Sequence, residues 1–178
     1  MNICLHIPNK SELWFKKFLK EDSKSMDYNA GYNVKFKGYN FDDGTIKTDI
    51  KELENVWYKN WINNWPEKYY AYIQLQNSKE FIGEIYAKYF SEDDSYEIGI
   101  VILGKFRGLG YSNIAIKLLC NELKKLGAKR LFHELPKSRL SAIKADIHNG
   151  FSIVKTGYYG EFLKFGKVEE LCRLEKIL

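Results

Sequence analysis

The chain has only three cysteines among its 178 residues: Cys4, Cys120 and Cys172. They are odd in number and widely spaced, with no CxxC pair and no Cys/His cluster. Neither a disulfide framework nor a cysteine-based zinc site is supported, and reduced, buried thiols are expected. No apolar run approaches the ~20 residues of a membrane span. The opening "MNICLHIPNK" is too short in apolar residues for a secretory signal. A cytoplasmic location is expected. Excess charge is modest at +5, with lysines scattered along the chain. That balance favours an anionic ligand and falls short of a nucleic-acid footprint. His6, His133 and His148 share no ligand spacing, so no metal is expected and each reads as structural or exposed. Internal repeats and low-complexity tracts are absent.

Aromatics are plentiful: thirteen Tyr, eleven Phe and four Trp. They suit either an aromatic-rich core or a pocket walled by amphipathic rings. The length suits one domain with a substantial core. Residues 2–7 read as a strand, and a helix opens at Ser11. Residues 21–47, rich in Gly, Asn, Asp and Tyr, read as a long irregular segment. A helix is expected over 49–64, with Pro66 closing it. Strands follow at 69–76 and 80–90 around an Asn77-Ser78 turn, then at 95–103. After them come a helix over about 110–126, a strand at 128–135 and a helix from Ser138 to Asn149. Closing strands are expected at Phe151 to Thr156 and Glu169 to Ile177. The order implies a mixed sheet with helices on both faces.

The stretch "GKFRGLGYSNIAIKLL" at 104–119 places two glycines where a helix must begin. A helix N-terminus offers unpaired N–H groups and partial positive charge, an anion site suited to phosphate. Glycine permits close backbone approach. Arg107 adds a charge-assisted donor, and Ser112 adds a hydroxyl in the first turn. The stretch lacks the GxxxxGK[ST] of a P-loop. Asn113 stands where a dinucleotide fingerprint needs its third glycine. A tight strand–helix turn with no ligand is the competing reading of so short a motif.

An apolar strand, RGLGYS, an amphipathic helix, a further strand and a helix ending in NGF together resemble the GNAT superfamily of N-acetyltransferases. Arg107 and Gly110 match the first two positions of its Arg/Gln-x-x-Gly-x-Gly/Ala signature, and Ser112 stands at the third. In "RLSAIKADIHNGF", Ala142, Ile143, Gly150 and Phe151 match the family's last helix, whereas Arg139 and Asp146 replace its Asn and Tyr. The resemblance covers about residues 80–155. Its wording is nearest to the branch with ribosomal-protein alanine acetyltransferases.

The resemblance implies a single α+β domain over 1–178 with a mixed, mostly antiparallel sheet of six to seven strands. About four helices would flank it, and its central strands would splay. Residues 1–66 would wall the acceptor side, and 67–178 would form the sheet and the acetyl-CoA core. It further implies acetyl-CoA as co-substrate and direct attack by an amine in a ternary complex. The amine would be a small molecule or a peptide or protein N-terminus. The diphosphate would sit on N–H groups of Arg107, Gly108, Leu109, Gly110, Tyr111 and Ser112. The pantetheine arm would lie beside Ile102 and Leu103, and an N–H near Leu103 would hold the thioester oxygen. A homodimer is compatible with this reading.

Transfer needs a proton acceptor for the amine, alignment, and stabilisation of the departing thiolate. Glu97 in "SYEIGIVI" is the first choice of base because burial there would raise its pKa. Glu84 in "FIGEIY" is the second, and a water chain the third. Asp146 is a candidate acid, a substrate contact or a surface charge. Tyr158 or Tyr159 could replace the missing tyrosine. Tyr28 and Tyr32 of the irregular segment are the expected acceptor contacts, while Trp57 and Trp61, four apart, read as core. Two other classes remain open: a non-catalytic acyl-CoA-binding module of the same fold, and a basic aromatic RNA-binding domain.

Overall fold

The structure, a computed structural model of the chain, describes residues 2–178. Seven strands form one sheet in the order β1-β2-β3-β4-β5-β7-β6. They are β1 (Ile3–His6), β2 (Lys68–Leu75), β3 (Phe81–Phe90), β4 (Ser95–Ile102), β5 (Arg130–Pro136), β6 (Ser152–Lys164) and β7 (Lys167–Ile177). The helices are α1 (Leu13–Glu21), α2 (Ser23–Met26), α3 (Ile50–Glu52), α4 (Tyr58–Trp61), α5 (Tyr111–Lys125) and α6 (Leu140–His148). A π-helical turn, Leu53–Trp57, joins α3 to α4, so the expected 49–64 helix is one broken segment. No helix among the described residues is long and apolar enough to cross a membrane.

Strand side chains alternate between faces, and each face has its own helices. Ala71, Ile73, Ile85, Ile98 and Ile102 meet Ile116, Leu119 and Leu123 of α5 and Ile143 of α6. Full burial of those three α5 side chains contributes about 5–9 kcal/mol before ordering costs. Tyr70, Tyr72, Phe81 and Val101 face the other way, onto Phe15 and Leu19 of α1. The buried stripe of α1 includes Lys16, whereas Phe18 is exposed: it lies off the stripe on a 3.6-residue period.

Two features of the pairing bear on the site and on the sequence expectations. The first is the only parallel contact among the described residues, between β4 and β5. It consists of Tyr96 with Leu131 and Glu97 with Phe132. Beyond Glu97 the two strands diverge, which opens the expected splay in mid-sheet. The second is the β6–β7 hairpin. Residues 157–164 and 167–168 continue the strands around a turn at Phe165-Gly166, with register shifts along β6. Gly157, Gly160 and a mostly exposed surface leave this hairpin no apolar alternation to read.

Candidate active site

The Gly110 N-cap of α5 has φ 79° and ψ 2°, and Gly108 has φ 75°. Both lie in the left-handed region that glycine enters without strain. The turn thereby brings successive backbone N–H groups to the head of a fifteen-residue helix. No side chain caps that helix. The N–H groups from Gly108 to Ser112 are thus free for an anion. Arg107 is placed differently from expectation. Its Nη1 donates to Asp27 Oδ1 at 2.7 Å, its Nη2 to the Ser25 carbonyl and its Nε to the Ile102 carbonyl at 3.3 Å. The guanidinium fastens α2 to the end of β4, so it is not a free phosphate donor.

The edge of β4 facing the splay follows from hydrogen-bond parity. The Leu103 N–H donates to the Ile82 carbonyl at 2.9 Å, and the β3–β4 ladder runs without a register shift. Odd-numbered residues therefore turn their amides toward β3, and even-numbered ones toward β5. The oxyanion role expected of Leu103 is corrected accordingly, because its N–H is already used and its side chain is buried. The amide of Ile100 and the N–H of Ile102 instead face the gap.

A cleft of about 810 Å³ occupies this gap and runs from the head of α5 to α6. Tyr28, Ile102, Ser112, His133 and Asp146 are among the residues around it. The guanidinium groups of Arg139 and Arg107 lie over the Tyr28 ring, 4.7 and 5.9 Å from its centroid. Asp146 is fully buried and takes a hydrogen bond from His133 Nδ1 at 2.9 Å. It is not a surface charge, and it lines the cleft between α5 and α6.

A second cavity, about 880 Å³, lies on the opposite face of β4. Trp57, Trp61, Tyr70 and Tyr86 wall it, and both candidate bases reach it. Trp57 and Trp61 stack at 6.2 Å and meet Tyr70 edge-on. As expected they pack against the core on the α1 side, and they also line this cavity. Gly99 makes room here. A Cβ on it would sit 2.3 Å from Tyr86 Cζ, so only glycine lets that ring cross β4.

The two glutamates are in opposite electrostatic states. Glu84 is buried between Lys16 Nζ at 2.9 Å and Lys20 Nζ at 3.4 Å, and it accepts from the Tyr70 hydroxyl. Burial alone would raise its pKa, but the two ammonium groups and the hydroxyl outweigh that and hold it at about 2. A carboxylate so stabilised is a poor base. Glu97 has no salt-bridge partner within 4 Å among the described residues. Burial, only partly offset by His133 and Lys88, raises its pKa. That is the direction a base working near neutrality needs.

Two further candidates lie away from this constellation. Tyr32 donates to Glu169 and lines a separate hollow with Asn33 and Phe36. Its pKa is pushed up to about 12 by burial and that hydrogen bond. Tyr158 is corrected as an acid: it sits on β6 at the far edge of the sheet with Lys155 over its ring, and neither cavity includes it. Lys16, Lys20, Tyr70 and Tyr86 are site residues that the sequence did not single out, and His133, expected to be structural or exposed, borders the cleft. The alternation of "YYAYIQLQ" puts Tyr70 and Tyr72 on one face, and Lys16 and Lys20 share a helical stripe. Both signals were available. Among the described residues no group of three His, Cys, Asp or Glu is arranged for a metal ion.

This arrangement, a glycine-headed helix beside a splayed strand pair, coincides with a family assignment. A family model described as the acetyltransferase (GNAT) family matches residues 37–145, and the chain belongs to that family. It is an acetyl-CoA-dependent N-acetyltransferase by membership. Similar solved structures include spermidine N-acetyltransferase from Vibrio cholerae in complex with CoA and spermine. That likeness is 16% identical with a TM-score of 0.76, over 98% of this chain and 95% of the other. A mutant of the same enzyme gives 17% identity and a TM-score of 0.72, over 98% and 93%. At these identities the likeness is one of fold. No curated protein matches the chain.

Proposed function

We propose that the chain transfers acetyl from acetyl-CoA to a primary amine by direct attack in a ternary complex, with Glu97 as the base. The observation that carries this is the pair of cavities on opposite faces of β4, one headed by free amides and the other holding an unpaired, half-buried carboxylate. The diphosphate rests on N–H groups of residues 108–112, and the pantetheine arm runs along Ile102 and Ile100. From Ile102 to Ile98 the strand covers about 13 Å, enough to bring the thioester to the neck of the splay. There the Ile100 N–H faces the developing oxyanion.

The charges around the acceptor cavity narrow the amine. Structures of the same fold include a spermidine N-acetyltransferase, and spermidine is a polycation. Here five lysines (16, 20, 37, 47 and 88) face four carboxylates: Lys16 and Lys20 together hold Glu84, Lys37 pairs with Glu52 at 3.1 Å, and the lining keeps an excess of one positive charge. Lys16 Nζ lies 4.3 Å from the Trp57 ring and 4.7 Å from the Tyr70 ring. The protein's own cation therefore fills the aromatic box that an ammonium ligand would use. A primary amine with an apolar body and an anionic group suits this cavity. Phenylalanine is expected to exceed spermidine at least ~10-fold in kcat/KM, because like charges in a confined site oppose binding.

Thiol release from acetyl-CoA with a panel of amines tests the reading directly. Calorimetric binding of acetyl-CoA without turnover on any amine would favour a non-catalytic acyl-CoA-binding module. Gly110→Val tests the cradle. A β-branched residue at φ 79° costs about 1–3 kcal/mol of backbone strain. The turn is expected to yield, weakening acetyl-CoA binding at least ~10-fold. Unchanged affinity would remove the cradle from the mechanism.

A further inference from the structure

Asp146 has no solvent exposure, one hydrogen-bonded oxygen and one with no partner among the described residues. A buried carboxylate is costly unless a partner holds it, and His133 is the partner given. An ionised carboxylate only accepts. With Nδ1 engaged by Asp146, Nε2 is the ring nitrogen left for the cleft that both residues line.

The position of His133 is as informative as its bond. It follows Phe132, whose β4 partner Glu97 is the last paired residue before the strands part. By alternation His133 shares a face with Leu131 and Leu135, the face of α5 and α6. Glu97 shares a face with Val101, on the acceptor side. Two titratable groups thus flank the neck of the splay from opposite faces.

The geometry points to His133 as the group that protonates the departing thiolate, with Asp146 as the positioning residue that aims its ring. This rests on the acetyl-transfer reading above. As the amine attacks, the C–N bond forms and the C–S electron pair leaves on sulfur. Sulfur takes the Nε2 proton of the imidazolium, and the nitrogen's surplus proton goes to Glu97. The products are the amide and the free thiol. Glu97 then loses its proton to water and His133 regains one, so the cycle balances. An imidazolium is ordinarily a stronger acid than a thiol, so the transfer runs downhill.

The neighbouring titratable groups leave this role to His133. Cys120 on α5 and Cys172 on β7 are buried thiols whose pKa burial raises. Lys144 and His148 of α6 lie along the same cleft, and Glu134 and Arg173 border Glu97. Among them, only His133 is held by Asp146 beside the neck.

His133→Gln separates this role from a structural one. Expected are a fall in kcat of about 10²-fold or more, an acetyl-CoA affinity close to wild type, and loss of the alkaline limb of the kcat–pH profile. Asp146→Asn, which frees the ring to turn, is expected to fall between the two. His133→Ala with added imidazole provides a second readout, in which recovered kcat supports the role. An unchanged kcat with the alkaline limb intact in His133→Gln overturns it, as does parallel loss of affinity and kcat with no rescue by imidazole. Wild-type turnover on the amine panel tests acetyl transfer separately, and a wild type without turnover overturns both.

Discussion

Glu97→Gln is expected to lower kcat by about 10²–10⁴-fold, the range that a positioned proton acceptor contributes, with acetyl-CoA affinity little changed. The amide keeps the shape of the side chain and cannot take a proton. Glu97 stands on the α1-side face of β4, opposite Lys88 in the β3 register. Burial raises its pKa above the ordinary carboxylate range. The acid limb of wild-type kcat/KM should therefore fall above about pH 4.3, the usual glutamate value. Glu97→Gln should abolish that limb. A folded-state pKa above the unfolded one means that the ionised form works against folding at neutral pH. The inactive variant should consequently melt no lower than wild type. Thermal unfolding beside steady-state kinetics checks both, and a variant with near-normal kcat would remove Glu97 from the mechanism.

The same change at Glu84 is expected to have the opposite profile: Glu84→Gln should cost about 3–5 kcal/mol of stability, because it leaves buried cations without their counter-charge. Lys16 is only 8% exposed at its side chain, and Lys20 is 23% exposed. Burial already lowers the pKa of Lys16 to about 8 despite the attraction of Glu84. At roughly 2–4 °C per kcal/mol for a chain of this size, the melting temperature should drop by about 6–20 °C. The pH dependence follows from the sign of the shift. The Glu84 pKa is depressed in the folded state, to about 2. Its contribution is therefore present above the unfolded value near 4.3 and lost as pH falls toward about 2. Denaturant melts of wild type and variant between pH 2 and 7 should converge at the acid end. Equal stability at pH 7 would show that the Lys16–Glu84–Lys20 cluster is not what fastens α1 to the sheet.

The two glutamates also show how far the sequence reaches. Each stands in an apolar strand, in "FIGEIY" and "SYEIGIVI", and nothing local distinguishes an ion-paired carboxylate from a free one. The groups that do so are Tyr70 and Lys16, 14 and 68 residues away from Glu84. His133 and Asp146 are a similar case. Both were visible as single residues, and only the packing of α6 against β5 joins them. Arg107 shows the converse error. Its place in the motif suggested a phosphate donor, and a distant partner, Asp27, takes its guanidinium.

What the sequence determined by itself is what neighbours along the chain can enforce. It set the strand–helix order and the left-handed glycines at the head of α5, because backbone dihedrals and alternating apolar patterns are local properties. The tertiary structure alone decided which carboxylate is free, which nitrogen of His133 faces the cleft and which amides of β4 lack a partner. Charge state and hydrogen-bond occupancy depend on what stands within a few ångströms in space, and in this fold those neighbours come from other strands and helices.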